Sequence, residues 1–252
     1  MKLLRLLISL IGLNPRAIIA LRFMPRYFRD KRRFRSAGGI IGEQFPVLTD
    51  YADSAGVAKG HYFHQDLMVA QKIFLSNPER HVDIGSRVDG FVAHVASFRE
   101  IELFDIRPLK AKVKNVTFRV QDLLELPDDL HDYADSVSCL HALEHFGLGR
   151  YGDPIDPEGH ARGFNNLIKL TKRGGMLYVS VPVGRKRVVF NAHRVLAPND
   201  LIGLAADKLA LESYSYVDDH GDLRVGEDFQ RLIADSENLG YGLGIFEFRK
   251  LD

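Results

Sequence analysis

Hydrophobic and polar positions follow several rhythms along the chain. Residues 3–13, LLRLLISLIGL, are almost wholly aliphatic, while Lys2, Arg5, Ser9 and Gly12 fall at helical spacing as one narrow stripe. Pro15 punctuates this run, and a second apolar stretch follows from Ala17 to Met24. Arg22, Arg26, Arg29 and Arg33 then recur at steps of four, three and four, on one face of a helix. HYFHQDLMVAQKIFL (61–75) has helical periodicity and is closed by Asn77-Pro78. Beyond it, short apolar runs alternate with helical stretches. HVDIG (81–85), EIELFDI (100–106), VKNVTFRV (113–120), DSVSCL (135–140), GMLYVSVPV (175–183), LALESYSYV (209–217) and IFEFRK (245–250) read as strands. FVAHVASF (91–98) and GHARGFNNLIKLTK (159–172) read as helices. This alternation predicts an α/β domain over 36–252, with a mostly parallel sheet covered on both faces, behind a leader over 1–35.

Composition narrows the class. A chain of 252 residues with 46% hydrophobic and 27% charged side chains buries a full core, which excludes disorder. Cys139 is the single cysteine, so an internal disulfide and a cysteine-rich metal site are excluded and a reducing, cytoplasmic compartment is indicated. The net charge of +1 hides an asymmetry: residues 1–35 carry ten basic groups and one acid, a net +9, against −8 for the rest. Neither apolar run of the leader reaches the roughly 20 residues that span a bilayer. Arg5 and Arg16 interrupt it in a way that a signal peptide does not. A cationic amphipathic leader suits an anionic membrane surface, here the inner face of the cell membrane. The alternative is a leader packed on its own domain or on a second subunit. Aliphatic residues interleaved with the basic groups, and an acidic body, argue against nucleic acid.

Ligands of parallel sheets bind at the carboxyl ends of the strands. The first strand ends in Asp83-Ile84-Gly85-Ser86-Arg87, where Gly85 permits a tight turn and close backbone approach. The next ends in Asp105, about twenty residues on, placed to accept both hydroxyls of a ribose. The third is followed by Gln121-Asp122-Leu123, placed to flank an adenine and accept from its amino group.

In order and spacing, DIGS…FDIRP…QDLLELP…DSVSCLHALEHF…LTKRGGMLYVSVP resembles class I S-adenosylmethionine-dependent methyltransferases over roughly residues 60–185. The resemblance implies a Rossmann-like, mostly parallel sheet of seven strands with the last antiparallel. It also implies S-adenosylmethionine as cofactor, held by Asp83, Gly85, Ser86, Arg87, Asp105, Asp122, Leu123 and His141. One departure stands out. Where the family repeats glycine at alternate positions after Gly85, this chain has Arg87 and Asp89, with Gly90 offset. Arg87 would meet the cofactor's carboxylate or block the site. HYFHQDL, HVDIGSRVDGFVAH, HALEHFGLGRYGD and FNAHRV further resemble a methyltransferase-like family associated with cell-surface polysaccharide biosynthesis.

Six of the ten histidines fall near strand ends or loops: His61, His64, His141, His145, His193 and His220. The segment His141-Ala142-Leu143-Glu144-His145 follows the fourth strand, the edge facing the transferred methyl in the resembled fold. His145 is the first candidate for general base and His193 the second, with Glu144 beside them. His61, His64, Tyr151, Asp153, Asn191 and Arg194 are candidates for the acceptor wall, Arg194 as the partner of an anionic group. His61 and His64 with Asp66, or Glu144 with His145, supply possible metal ligands, but no metal is assigned. The expected reaction is O-methylation of a sugar of a surface polysaccharide or its lipid-linked precursor, with N-methylation of an amino sugar open. The alternative is a non-catalytic binding or scaffold protein of a glycan-assembly complex. A nicotinamide sugar dehydrogenase would use Y-x-x-x-K, which occurs only as Tyr27 to Lys31 in the leader.

Overall fold

The computed structural model describes residues 15–252, so the aliphatic run over 3–13 lies outside the described residues. The chain divides into two compact units, Met1–Val57 and Ala58–Asp252. In the first, α1 (Pro15–Ala20) leads through a 3-10 turn, Leu21–Phe23, into α2 (Met24–Ser36). Pro25 sits in the first turn of α2, where its missing N–H costs nothing. The Arg26 guanidinium lies 4.4 Å from the centre of the Tyr51 ring, and Ile18, Ile19, Leu21, Phe28 and Phe34 are exposed. No described helix is long and apolar enough to cross a membrane.

The second unit opens with α3 (His61–Ser76), which ends at Asn77 in the left-handed conformation before Pro78. There follow β1 (His81–Ile84), α4 (Ala93–Ala96), β2 (Ile101–Asp105), β3 (Val116–Val120) and β4 (Ala134–Leu140). Next come α5 (Gly159–Leu170), β5 (Thr171–Val183), β6 (Arg187–Val189), β7 (His193–Val195) and α6 (Pro198–Ala205). β8 (Leu209–Val217), β9 (Leu223–Arg224), α7 (Phe229–Ser236) and β10 (Gly242–Lys250) complete the unit.

The main sheet has the order β3-β2-β1-β4-β5-β10-β8-β9. β1 to β5 pair in parallel, and β10 inserts antiparallel between β5 and β8. The expected seven strands are present with the last antiparallel. The eighth, β9, is a two-residue edge too short to leave a periodic signal. Alternation along β5 explains the two-sided burial: Leu177, Val179, Val181 and Val183 enter one core with Phe164 and Leu167 of α5. Tyr178 points to the other core, where Ile101, Leu103, Leu243 and Ile245 meet Val69 and Ile73 of α3. Each such aliphatic side chain contributes roughly 1.5–3 kcal/mol by leaving water. Strand order reverses between β1 and β4, which opens a crevice at their carboxyl ends. β6 and β7 form a separate hairpin, with Val189 opposite His193.

Candidate active site

The turn after β1 is anchored from beneath. Gly85 has φ of +75°, and a Cβ built there would lie 3.0 Å from the Ala142 Cβ, so this position favours glycine on both counts. Its N–H donates to the Phe104 carbonyl at 2.9 Å. Asp83, expected at the ligand, is instead fully buried below it. Its carboxylate accepts from Ser86 Oγ at 2.7 Å, Ser138 Oγ at 3.0 Å and the Ser86 N–H at 3.3 Å. His81 continues the network, touching Ser138 at 3.2 Å and Ser136 at 2.8 Å, and burial pushes its pKa down to about 3. Asp83 therefore sets the shape of the turn and does not line a cavity.

Burial pushes the Asp83 pKa up to about 7, against the hydrogen bonds from Ser86 and Ser138. The unfolded chain gives up this proton near pH 3.8, and the native chain keeps it to about 7. Folding takes up a proton between those limits, so this group's contribution to stability falls as pH rises through the window, by at most about 1.4 kcal/mol per pH unit. Asp83→Asn removes the titration. Its melting temperature relative to wild type should improve between about pH 5 and about pH 8. A difference that does not change with pH would contradict this placement of the charge.

Two cavities adjoin at the strand ends. The first is a crevice walled by Ile106, Leu123, Leu124 and Phe146, with Asp105 and Asp122 on its edge. The Asp105 carboxylate is already engaged by Arg107, through the guanidinium at 2.6 and 2.9 Å and the backbone N–H at 2.8 Å. The guanidinium also stacks 4.4 Å from the centre of the Tyr151 ring. Asp122 accepts the Leu124 N–H at 2.8 Å, which fixes the turn after β3. Ser86 and Arg87 border the second cavity, and Arg87 is exposed and forked onto Asp89 at 2.6 and 2.9 Å.

That second cavity, of about 430 Å³, collects Tyr62, His141, His145, Arg150, His193 and Tyr241 on its walls. His141 adopts φ of +56°, an uncommon conformation for a non-glycine residue. Its ring stacks on Tyr62 at 4.9 Å, its Nε2 meets His61 Nδ1 at 3.2 Å, and its Nδ1 meets Glu144 Oε1. Glu144 is fully buried, and Oε1 also lies 3.6 Å from His145 Nε2. Burial alone would raise the Glu144 pKa and lower that of His141, but each charge outweighs this for its partner: Glu144 stays low and His141 high. Burial lowers the His61 pKa to about 4 and also lowers that of His145. His145 Nδ1 bonds the Ala192 carbonyl at 2.7 Å, in the turn between β6 and β7. His193 is half-buried with its ring 4.9 Å from that of Tyr241, and its nitrogens have no side-chain hydrogen-bond partner among the described residues.

Four candidates lie elsewhere or serve the loops. Arg194 is buried, and its guanidinium donates to the carbonyls of Phe146 (2.6 Å), Pro157 (3.1 Å), Glu144 (3.3 Å) and Asp156 (3.3 Å). It is a strut for the loop over 144–157, with both Nη groups spent on backbone carbonyls. Arg194→Ala would strand these carbonyls and should destabilise the protein by about 3 kcal/mol or more, read by denaturant unfolding. A loss below about 0.5 kcal/mol would contradict the strut. Asp153 accepts the N–H groups of Gly147 (2.8 Å), Gly149 and Tyr151 (both 3.2 Å), and so organises the glycine-rich loop. Asn191 occupies a left-handed turn position with φ of +62° and is exposed, outside both cavities. His64 is one helical step from His61 but lies outside both cavities, edge-on to Phe63.

Sequence reasoning missed Arg107, Tyr62, Tyr241 and Arg150. Arg107 was in view, two residues after Asp105, and Tyr62 adjoins His61; Tyr241 comes from the far end of the chain and carried no local signal.

The family described as "Caenorhabditis protein of unknown function, DUF268" matches residues 99–225. No curated protein matches the chain. Among solved structures, the N-methyltransferase NodS of Bradyrhizobium japonicum WM9, in complex with S-adenosyl-l-homocysteine, is similar at 13% identity. The match has a TM-score of 0.53 and covers 77% of this chain and 89% of that one. The [4+2]-cyclase SpnF is similar at 17% identity and TM-score 0.53, covering 75% and 80%. The 1,6-didemethyltoxoflavin-N1-methyltransferase of Burkholderia thailandensis, with bound S-adenosylhomocysteine, follows at 15% identity and TM-score 0.50, covering 74% and 79%. Identities this low establish the fold, that of the class I methyltransferases. One of these similar structures is a cyclase, so the fold alone does not set the reaction.

Proposed function

The chain belongs to the family described as Caenorhabditis protein of unknown function, which assigns no reaction, and from its site we propose that it is an S-adenosylmethionine-dependent methyltransferase. The observation that carries this reading is the first crevice. Gly85, Asp105 and Asp122 stand on successive strand ends around apolar walls, in the fold that holds S-adenosylhomocysteine in two of the similar structures. The residues fit the cofactor. Gly85 lets backbone approach it, Asp105 takes the ribose hydroxyls, Leu123 and Phe146 flank the base, and Asp122 faces its amino group. Arg107 must yield or share Asp105, and it can turn to solvent, since its side chain is 46% exposed against 11% for that of Asp105. The cofactor supplies a methyl group activated by a sulfonium.

The second cavity is the acceptor's. Aromatic faces at Tyr62 and Tyr241, with Arg150 and His193 between, suit a sugar, whose C–H faces stack on rings while its hydroxyls bond polar groups. We assign the reaction as O-methylation of a sugar of a surface polysaccharide or of its lipid-linked precursor. His193 is the base for the hydroxyl proton. Burial lowers its pKa, so it is neutral and able to accept, and no side chain among the described residues competes for its nitrogens. His145 is held by Ala192 and faces Glu144, which suits it to a positioning role. Incubation with methyl-labelled S-adenosylmethionine and separate polysaccharide and lipid-linked fractions tests the assignment. Label should appear on a sugar hydroxyl; label on neither fraction would overturn it.

The leader fits the same reading as an anchor to the anionic inner face of the cell membrane. Residues 1–35 hold a net +9, each cation contributing about 1 kcal/mol near such a surface. α1 and α2 add exposed apolar side chains at Ile18, Ile19, Phe28 and Phe34. The full chain should float with anionic vesicles at low salt and be released by high salt. Deleting residues 1–35 should abolish flotation and spare cofactor binding. Flotation unchanged by the deletion would sink the anchor.

A further inference from the structure

The segment after β4 gathers three metal-ligating groups, none of which serves as the base or as a cofactor contact in the methyl-transfer reading. His141, Glu144 and His145 each offer one ligand atom within 4.8 Å of the other two, supplied by five consecutive residues around one 3-10 turn, Leu143–His145. Glu144 is fully buried, and its Oε2 has no hydrogen-bond partner among the described residues. The Ala192 carbonyl accepts from Arg150 Nη1 at 2.8 Å and faces His145 Nδ1 at 2.7 Å. This contact is shorter than the 3.3 Å from Arg150 Nη1 to Nδ1 and favours the His145 proton on Nδ1, which leaves Nε2 as the lone pair. That lone pair faces a carboxylate oxygen 3.6 Å away. In the metal-free chain the charge of His141, whose Nδ1 meets the same Oε1, balances Glu144, and a divalent ion entering among the three groups would displace that Nδ1 proton. The other nitrogen of His141 is occupied as well, 3.2 Å from His61 Nδ1. Metal-bound imidazoles are held in this way, each with its second nitrogen donating to a fixed acceptor.

We propose that His141, Glu144 and His145 bind one divalent transition-metal ion, with the Ala192 carbonyl and His61 as the groups that orient the two imidazoles. Two imidazoles and one carboxylate select zinc, iron(II), cobalt or manganese over magnesium or calcium, which take all-oxygen sites. His141 and His145 both line the acceptor cavity, so the remaining coordination positions open onto it and take an oxygen ligand. His61 and His64, the alternative pair at H-x-x-H spacing, do not converge; only His61 reaches the cluster. The inference goes beyond the methyltransferase reading and does not rest on it.

The test uses the full chain without an affinity tag, stripped with a chelator. Zinc is titrated by calorimetry and cobalt by visible absorption. The wild-type chain should take up about one ion and give the ligand-field bands of low-coordinate cobalt. Glu144→Gln and His145→Ala should each weaken binding a hundredfold or more, and His61→Ala by about ten- to a hundredfold. His131→Ala, at an exposed histidine before the start of β4 and so at the opposite end of that strand from the cluster, should change nothing. Absence of uptake by the wild-type chain, or uptake unaltered by Glu144→Gln, would overturn the site. The wild-type titration keeps the test decisive should a variant fail to fold. S-adenosylmethionine binding, measured on the same stripped protein, separates the two readings, since either can fail alone.

Discussion

Asp105→Ala should weaken S-adenosylmethionine binding at least about a hundredfold. Asp105 ends β2 at the edge of the first crevice with its side chain only 11% exposed, so hydrogen bonds to its carboxylate form largely out of water. Two ribose hydroxyls donating to a charged acceptor are worth about 1.5–3 kcal/mol each, and about 1.4 kcal/mol is a factor of ten. The present partner of Asp105 is Arg107, which is half-exposed and can turn to solvent in the variant, so the fold should survive. Calorimetry with a circular-dichroism control gives the answer. Affinity within about fivefold of wild type would remove the ribose role, and with it the strongest link between crevice and cofactor.

His193→Ala should lower turnover by about a hundredfold or more and leave cofactor affinity unchanged. The imidazole stands at the end of the hairpin turn, against Tyr241, on the wall of the acceptor cavity. Its loss removes the proton acceptor without touching the first crevice. Added imidazole should restore part of the rate, because the cavity is open enough to admit it. Full activity in His193→Ala combined with a dead His145→Ala would move the base to His145. Activity in both would leave alignment of the reactants as the whole of the catalysis.

Much of the scaffold was legible because strands buried on both faces stand out as apolar runs, as β5 does from Met176 to Val183, and β1 and β4 kept enough of that character despite the polar network of His81, Asp83, Ser136 and Ser138. Gly85, Asp105 and Asp122 could be placed because each falls within two residues of a strand end. The side chains around them were harder. Asp83 is adjacent in sequence to the turn, yet its direction across the sheet put it under Ser86. Arg194 reads as a free cation in sequence and became a buried strut, because four carbonyls from a loop some forty residues earlier close on it. The β6–β7 hairpin, with three residues in each strand, is too short to print a pattern, yet it carries both His193 and the Ala192 carbonyl. His141 could be placed at a strand end, but its turn toward Glu144 depends on a positive φ that an ordinary residue gives no sign of adopting.

Calorimetric titration of the full wild-type chain with S-adenosylmethionine, and with S-adenosylhomocysteine as competitor, tests the central claim most directly. The crevice at Gly85, Asp105 and Asp122 predicts one saturable site per chain for each ligand, with mutual competition. No binding of either ligand at concentrations up to about a millimolar, equivalent to less than about 4 kcal/mol, would contradict it.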